Sequence, residues 1–118
     1  MEYFINDPNL VRYPPGEIRL LELHADSDPE GKRLRVALGL TPFQKRPKIE
    51  LDLKDSAGND IASASIIEPV GWKLELTLHV RKIGPANGKY TLTASLYYPE
   101  IGEIDRRTLI IDIPVRAK

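Results

Sequence analysis

Asn87-Gly88-Lys89-Tyr90-Thr91-Leu92-Thr93-Ala94-Ser95-Leu96-Tyr97 opens on a turn dipeptide and continues in strict alternation. Tyr90, Leu92, Ala94 and Leu96 share one face; Lys89, Thr91, Thr93, Ser95 and Tyr97 share the other. A period of two marks a strand with one buried face and one wet face. Asn-Gly supplies the positive backbone angles that a tight turn needs before such a strand.

Working outward, the same alternation returns along the chain. It predicts strands over Ile18–Ala25, Arg33–Leu40, Lys48–Lys54, Asp60–Ile67, Trp72–Val80, Lys89–Tyr98 and Ile104–Val115. The inward sets are Leu34, Val36, Leu38 and Leu40 in the second, and Ile49, Leu51 and Leu53 in the third. They are Trp72, Leu74, Leu76, Leu78 and Val80 in the fifth, and Leu109, Ile111 and Ile113 in the seventh. Ile110 then falls on the wrong face. The fourth segment, rich in Ala and Ser, could turn either face inward and reads as a short edge strand. No stretch has the length and period of a helix. Seven short strands with turns about every ten residues predict an all-β fold, an immunoglobulin-like antiparallel sandwich, because either sheet alone would leave its apolar face in water. Residues 1–17 read as an extended N-terminal arm interrupted by Pro8, Pro14 and Pro15, with residues 18–118 as the sandwich.

Composition narrows the function. At 118 residues the chain can hold a core without covalent staples. It has no cysteine, so disulfides, thiolate metal sites and a cysteine nucleophile are excluded, which suits a reducing cytoplasm. Seventeen basic and seventeen acidic residues leave no global field to draw in nucleic acid or anionic lipid. The basic groups Lys45-Arg46-x-Lys48 and Arg106-Arg107 have acids close by and no interleaved aromatics. The opening residues lack the basic and apolar regions of a leader, and the apolar runs are too short to cross a bilayer. The expected partner is another protein or a second copy of the chain, without nucleic acid or membrane insertion.

Asp55-x-x-Gly58-x-x-Ile61, followed by Gly88-x-Tyr90-x-Leu92-x-Ala94, resembles bacterial immunoglobulin-like and fibronectin-type-III-like domains. The resemblance implies a tyrosine corner at Tyr90, near the start of the sixth strand. It brings no catalytic residue with it. Both antibody-type cysteines and the third-strand tryptophan are missing, and Trp72 stands on the fifth strand instead.

Four candidate sites follow from the residues. His24 and His79 could move a proton, but both belong to wet strand faces. If the first, second and fifth strands share a sheet, they sit there with Glu22, Arg33, Arg35, Glu75 and Thr77. No nucleophile elbow, zinc-ligand helix or phosphate loop accompanies them, and no enzyme is expected. Asp26, Asp28 and Glu30, with Gly31, copy the first half of a calcium loop, but Ala37 stands where the closing carboxylate belongs. This is the one cofactor expectation, calcium, and it accompanies an alternative reading as a carbohydrate- or calcium-dependent ligand binder. At the opposite end of the sandwich, three proline-bearing loops gather Phe43, Lys45, Arg46, Val70, Tyr98 and Ile101. Aromatic and aliphatic anchors ringed by charge describe a surface for binding a partner protein. The competing reading is that Phe43 and Ile101 plug the end of the core. Tyr3, Phe4 and Ile5 in the arm could pair along the chain's own sheet edge or a neighbour's.

Overall fold

The computed structural model describes residues 11–67, 69, 71–80 and 89–113. A short 3-10 turn, Pro15–Glu17, leads into seven strands. They are β1 (Leu20–Ser27), β2 (Arg33–Leu40), β3 (Lys48–Asp55), β4 (Asp60–Ile67), β5 (Lys73–His79), β6 (Lys89–Tyr98) and β7 (Gly102–Asp112). One sheet has the order β1-β2-β5 and the other β4-β3-β6-β7, with every neighbouring pair antiparallel. The fold is an all-β sandwich of seven strands. β4 pairs with β3 rather than with β5, which separates this topology from the antibody constant arrangement.

The alternation of β6 is realised in full. Tyr90, Leu92, Ala94 and Leu96 are each 1% exposed or less. Across them on β3 stand Leu53, Leu51 and Ile49, completely buried. Leu34, Val36, Leu38 and Leu40 supply the facing layer from β2. Covering these side chains is the main driving force for stacking the sheets.

Several expectations shift. β1 starts at Leu20 because Ile18 is still closing the 3-10 turn, its N–H donating to Pro15 O at 3.5 Å. β5 begins one residue later than expected, at Lys73, and β7 two residues earlier, at Gly102. Gly102 takes φ +103°, a left-handed turn exit that lets the ladder with β6 begin immediately. Ile110 is 69% exposed, because its neighbour on β6 is Thr91, on the wet face. β4 is an edge strand of eight residues rather than a short one. Its Ala62, Ala64 and Ile66 lie against the core, while Ile61 sits at a register shift and is buried as well.

The two sheets are also joined along one side by hydrogen bonds. The Leu20 N–H donates to Asp105 Oδ2 and Arg107 Nε donates to the Leu20 carbonyl, each at 2.9 Å. This closes the edge of β1 against the edge of β7. The chain before β1 is held at the end of the sandwich that carries the β2–β3 and β6–β7 connections. There the Tyr13 N–H donates to Pro42 O at 2.9 Å and the Gln44 N–H to Tyr13 O at 3.0 Å. The arm residues Tyr3, Phe4 and Ile5, the strand residues assigned after Ile113 and the turn 81–88 lie outside the described residues.

Candidate functional site

Strand direction sorts the loops into two groups. The β1–β2, β3–β4 and β5–β6 connections share one end; the arm and the β2–β3, β4–β5 and β6–β7 connections share the other.

The first end holds the calcium candidate, and its carboxylates are otherwise engaged. Asp28 Oδ1 accepts the backbone N–H groups of Lys32 at 2.8 Å and Arg33 at 3.2 Å. Partial desolvation pulls the Asp28 carboxyl up, but these bonds, one from Gly31 and the Arg33 charge together hold it below the ordinary range. Glu30 points to Lys32 at 3.4 Å, and Asp26 stands on the outer face beside Arg35. Asp26, Asp28 and Glu30 therefore serve a turn, a surface ion pair and a strand face. Among the described residues no group of three or more acids and histidines is arranged to hold a metal ion.

Asp55 is the other organising carboxylate at this end. It is 5% exposed and accepts the N–H groups of Ala57 at 3.0 Å and Asn59 at 2.9 Å, and the Asn59 side-chain amide at 3.1 Å. The Asn59 amide and then its backbone N–H hold the carboxyl below the ordinary range, outweighing desolvation. This wraps the β3–β4 turn, where Gly58 takes φ +87°. Directly across from Asp55 lies Tyr90. Its buried hydroxyl has no hydrogen-bond partner among the described residues. Burial and the Asp55 charge both push its pKa up.

The histidines do not meet. His24 lies beside Ala37 and His79 beside Arg33, four residues apart on β2, or roughly 13 Å along the strand. His24 is 70% exposed with Glu22 at 3.8 Å. The expected outer face is assembled: β1, β2 and β5 present Glu22, His24, Arg33, Arg35, Glu75, Thr77 and His79 together. The arrangement supplies no nucleophile, base and orienting group within reach of one another.

The second end carries the loop residues singled out above, and the structure divides them. Phe43 is 7% exposed and meets Trp72 edge-to-face, with ring centroids 6.2 Å apart and planes at 84°. It is an end plug of the core. As a binding residue it is corrected, because a side chain covered by its own fold has no surface to offer. Tyr98 is likewise 1% exposed, and its hydroxyl donates to the Lys45 carbonyl at 2.6 Å, so it ties the β2–β3 loop to β6 instead of meeting solvent. Val70 lies outside the described residues. Lys45, Arg46 and Ile101 remain on the surface, with Ile101 57% exposed.

Lys45 and Arg46 line an open groove of about 440 Å3 with Lys48, Tyr98, Pro99 and Glu100, and Ile101 follows Glu100 in the chain. Lys45 Nζ donates to Glu100 Oε2 at 2.8 Å, and that bond is the chief cause holding the Glu100 carboxyl below its ordinary range. Lys48 stands out in sequence only as part of the basic group Lys45-Arg46-x-Lys48, not as a binding residue. Its position at the first rung of β3 brings it into the groove. Five of the six large apolar side chains exposed among the described residues belong to this end. Val11 and Tyr13 are in the arm, Leu21 begins β1, Ile67 ends β4 and Ile101 lies in the β6–β7 turn.

The hydroxyls of Tyr98 and Tyr90 make a paired test. Tyr98→Phe orphans the Lys45 carbonyl and is expected to cost about 1 kcal/mol. Tyr90→Phe removes a hydroxyl with no described partner and is expected to stay within about 0.5 kcal/mol of the parent. Urea unfolding of the two variants beside the parent checks both.

No protein-family model and no curated protein matches the sequence. Solved structures do match in shape. A glycosyl hydrolase family 2 member from Bacteroides cellulosilyticus aligns with a TM-score of 0.66 at 12% identity, covering 81% of this chain and 14% of its own. A Bifidobacterium dentium β-glucuronidase aligns at 0.61 and 16% identity, covering 84% of this chain and 18% of its own. A Lactobacillus rhamnosus β-glucuronidase aligns at 0.52 and 20% identity, covering 82% and 16%. At such identities the likeness is one of fold. The chain spans about a sixth of the length of these proteins.

Proposed function

We propose that this chain is a non-catalytic interaction or assembly module, which meets a partner protein through the end bearing Lys45, Arg46 and Ile101. The observation that carries the reading is that five of the six large apolar side chains exposed among the described residues lie toward this end, which also holds a groove lined by three cations and one carboxylate. Apolar and charged groups at one end of a rigid scaffold suit the docking of a partner. The loops are held by rigid strands and by Pro42, Pro47 and Pro99, which lowers the ordering cost of docking. The similar folds form a small part of large glycosidases, which is in keeping with a sandwich that accompanies other domains rather than reacting itself.

Those neighbours also favour one alternative: the module serves a carbohydrate-handling protein and touches the carbohydrate. Ile101→Asp separates a working surface from a plain one. Ile101 already stands in water, so the variant is expected to keep its melting temperature within about 2 °C. The parent chain used as bait should capture a partner, identified by mass spectrometry, that the variant loses. Equal capture by both baits would remove this surface from consideration.

A further inference from the structure

We infer that the groove between the β2–β3 loop and the β6–β7 turn is a receptor for an acidic segment of a partner protein. The inference rests on the proposed interaction role and supplies the chemistry of what is recognised.

Three cations and one carboxylate line the groove. Glu100 is taken by Lys45. Arg46 and Lys48 have no hydrogen bond or ion pair among the described residues. Lys48 is half-buried, and its charge adds to that of Lys45 in holding the Glu100 carboxyl down. Arg12, in the arm beside Gln44, is a further cation at this end, and its Nε and Nη2 are buried with no partner. A guanidinium and an ammonium that line one groove and lack a partner favour a carboxylate able to reach both. Free-standing surface pairs gain far less.

Shape and surroundings decide which carboxylate. The groove is open rather than enclosed, so it admits a chain passing through better than an isolated small anion. Pro99 stands exposed within it, and Ile101 is exposed two residues further along the chain. A polypeptide carrying Asp or Glu next to an apolar residue satisfies both the cations and these apolar surfaces. A uronic-acid chain satisfies the cations alone. Complementarity of this kind raises the rate of encounter and sets selectivity, and it weakens with salt.

The test uses the whole chain, isotopically labelled, titrated with a glutamate-rich decapeptide bearing one central leucine. Galacturonate oligomers of matching charge form the second arm. The peptide is expected to shift the backbone resonances of Lys45–Lys48 and of 98–101, and raised salt to weaken it by about tenfold. The charge reversal Arg46→Glu with Lys48→Glu is expected to weaken it by about tenfold or more. Arg46→Glu alone, at an exposed position, is expected to weaken it by about threefold and guards against misfolding of the double variant. Absence of shifts at this end, or binding unaffected by Arg46→Glu, overturns the inference. So does tighter binding of the galacturonate. If the peptide fails while capture of a partner still depends on Ile101, the acidic ligand is wrong and the interaction role stands.

Discussion

Phe43→Asp is expected to unfold the protein at 25 °C, or to leave it with so little stability that it melts near that temperature. Phe43 reads from sequence as a loop residue between Pro42 and Lys45 that either meets a partner or plugs the end of the core. In the folded chain it is 7% exposed, flanked by Trp72 edge-to-face, and part of the continuous core. Truncating a buried phenylalanine to alanine removes about 3–5 kcal/mol. An aspartate there adds the desolvation of a carboxylate, a further few kcal/mol even after relaxation. Against a total of about 5–15 kcal/mol for a domain, little remains. Backbone pairing makes matters worse. Phe43 bridges Tyr13, so loss of the plug also loosens the arm where it crosses Pro42 and Gln44. Thermal melts followed by the tryptophan emission of Trp72 report the change directly. A melting temperature within a few degrees of the parent would show that Phe43 is surface after all.

Asp55→Ala is expected to give the second-largest loss, with a dependence on pH that identifies its origin. Removing the carboxylate strands the N–H groups of Ala57 and Asn59 and frees the Asn59 amide, unravelling the β3–β4 turn. At neutral pH the melting temperature should fall on the order of 5 °C. The sign of the pH effect follows from the depressed pKa. In the unfolded chain Asp55 binds a proton near the ordinary aspartate value of about 3.9. In the folded chain it binds one only at lower pH. Its stabilisation is complete above the ordinary value and is lost as pH falls through the folded one. The gap between parent and variant should hold from pH 7 down to about pH 5 and shrink steadily below about pH 4. Asp28 and Glu100 are depressed in the same direction and remain in both proteins, so they cancel in the comparison. A gap independent of pH would mean that the loss comes from packing rather than from the carboxylate.

Much of the fold was legible because alternation is a local signal with a global meaning. Leu92 against Leu53 and Leu51 against Ala94 are pairings that any antiparallel neighbour would accept, and the chain supplies them at every second position. The shared wet face of β1, β2 and β5 followed from the sequence only on the condition that these strands form one sheet, and they do. Ile110 stands on the outward face that the alternation gave it, and only the reason for an apolar residue there was not legible: the outward side of an edge strand tolerates a single one. The candidate site was less legible for a related reason. Phe43, Tyr98 and Ile101 look alike in sequence, being large apolar residues in proline-bearing loops. Only the position of Trp72 and of the Lys45 carbonyl decides that the first two turn inward and the third outward. Lys48 was legible as a base beside Lys45 and Arg46 but not as a groove residue, because that part depends on a neighbour fifty residues away, Tyr98.

The path of the backbone has a practical corollary. Val11 enters beside the β2–β3 loop, whereas the eleven residues of β7 carry the chain to Ile113 at the far pole, roughly 36 Å away. Anchored to a bead, a sensor chip or a downstream domain through its final residues, the molecule stands upright with Arg46 and Ile101 uppermost and unobstructed. Anything bulky joined just ahead of Val11 would shade that same tip. Tags and fluorophores therefore belong on the trailing pole, and strung in series such units would align lengthwise, each tip facing the tail of the unit before it.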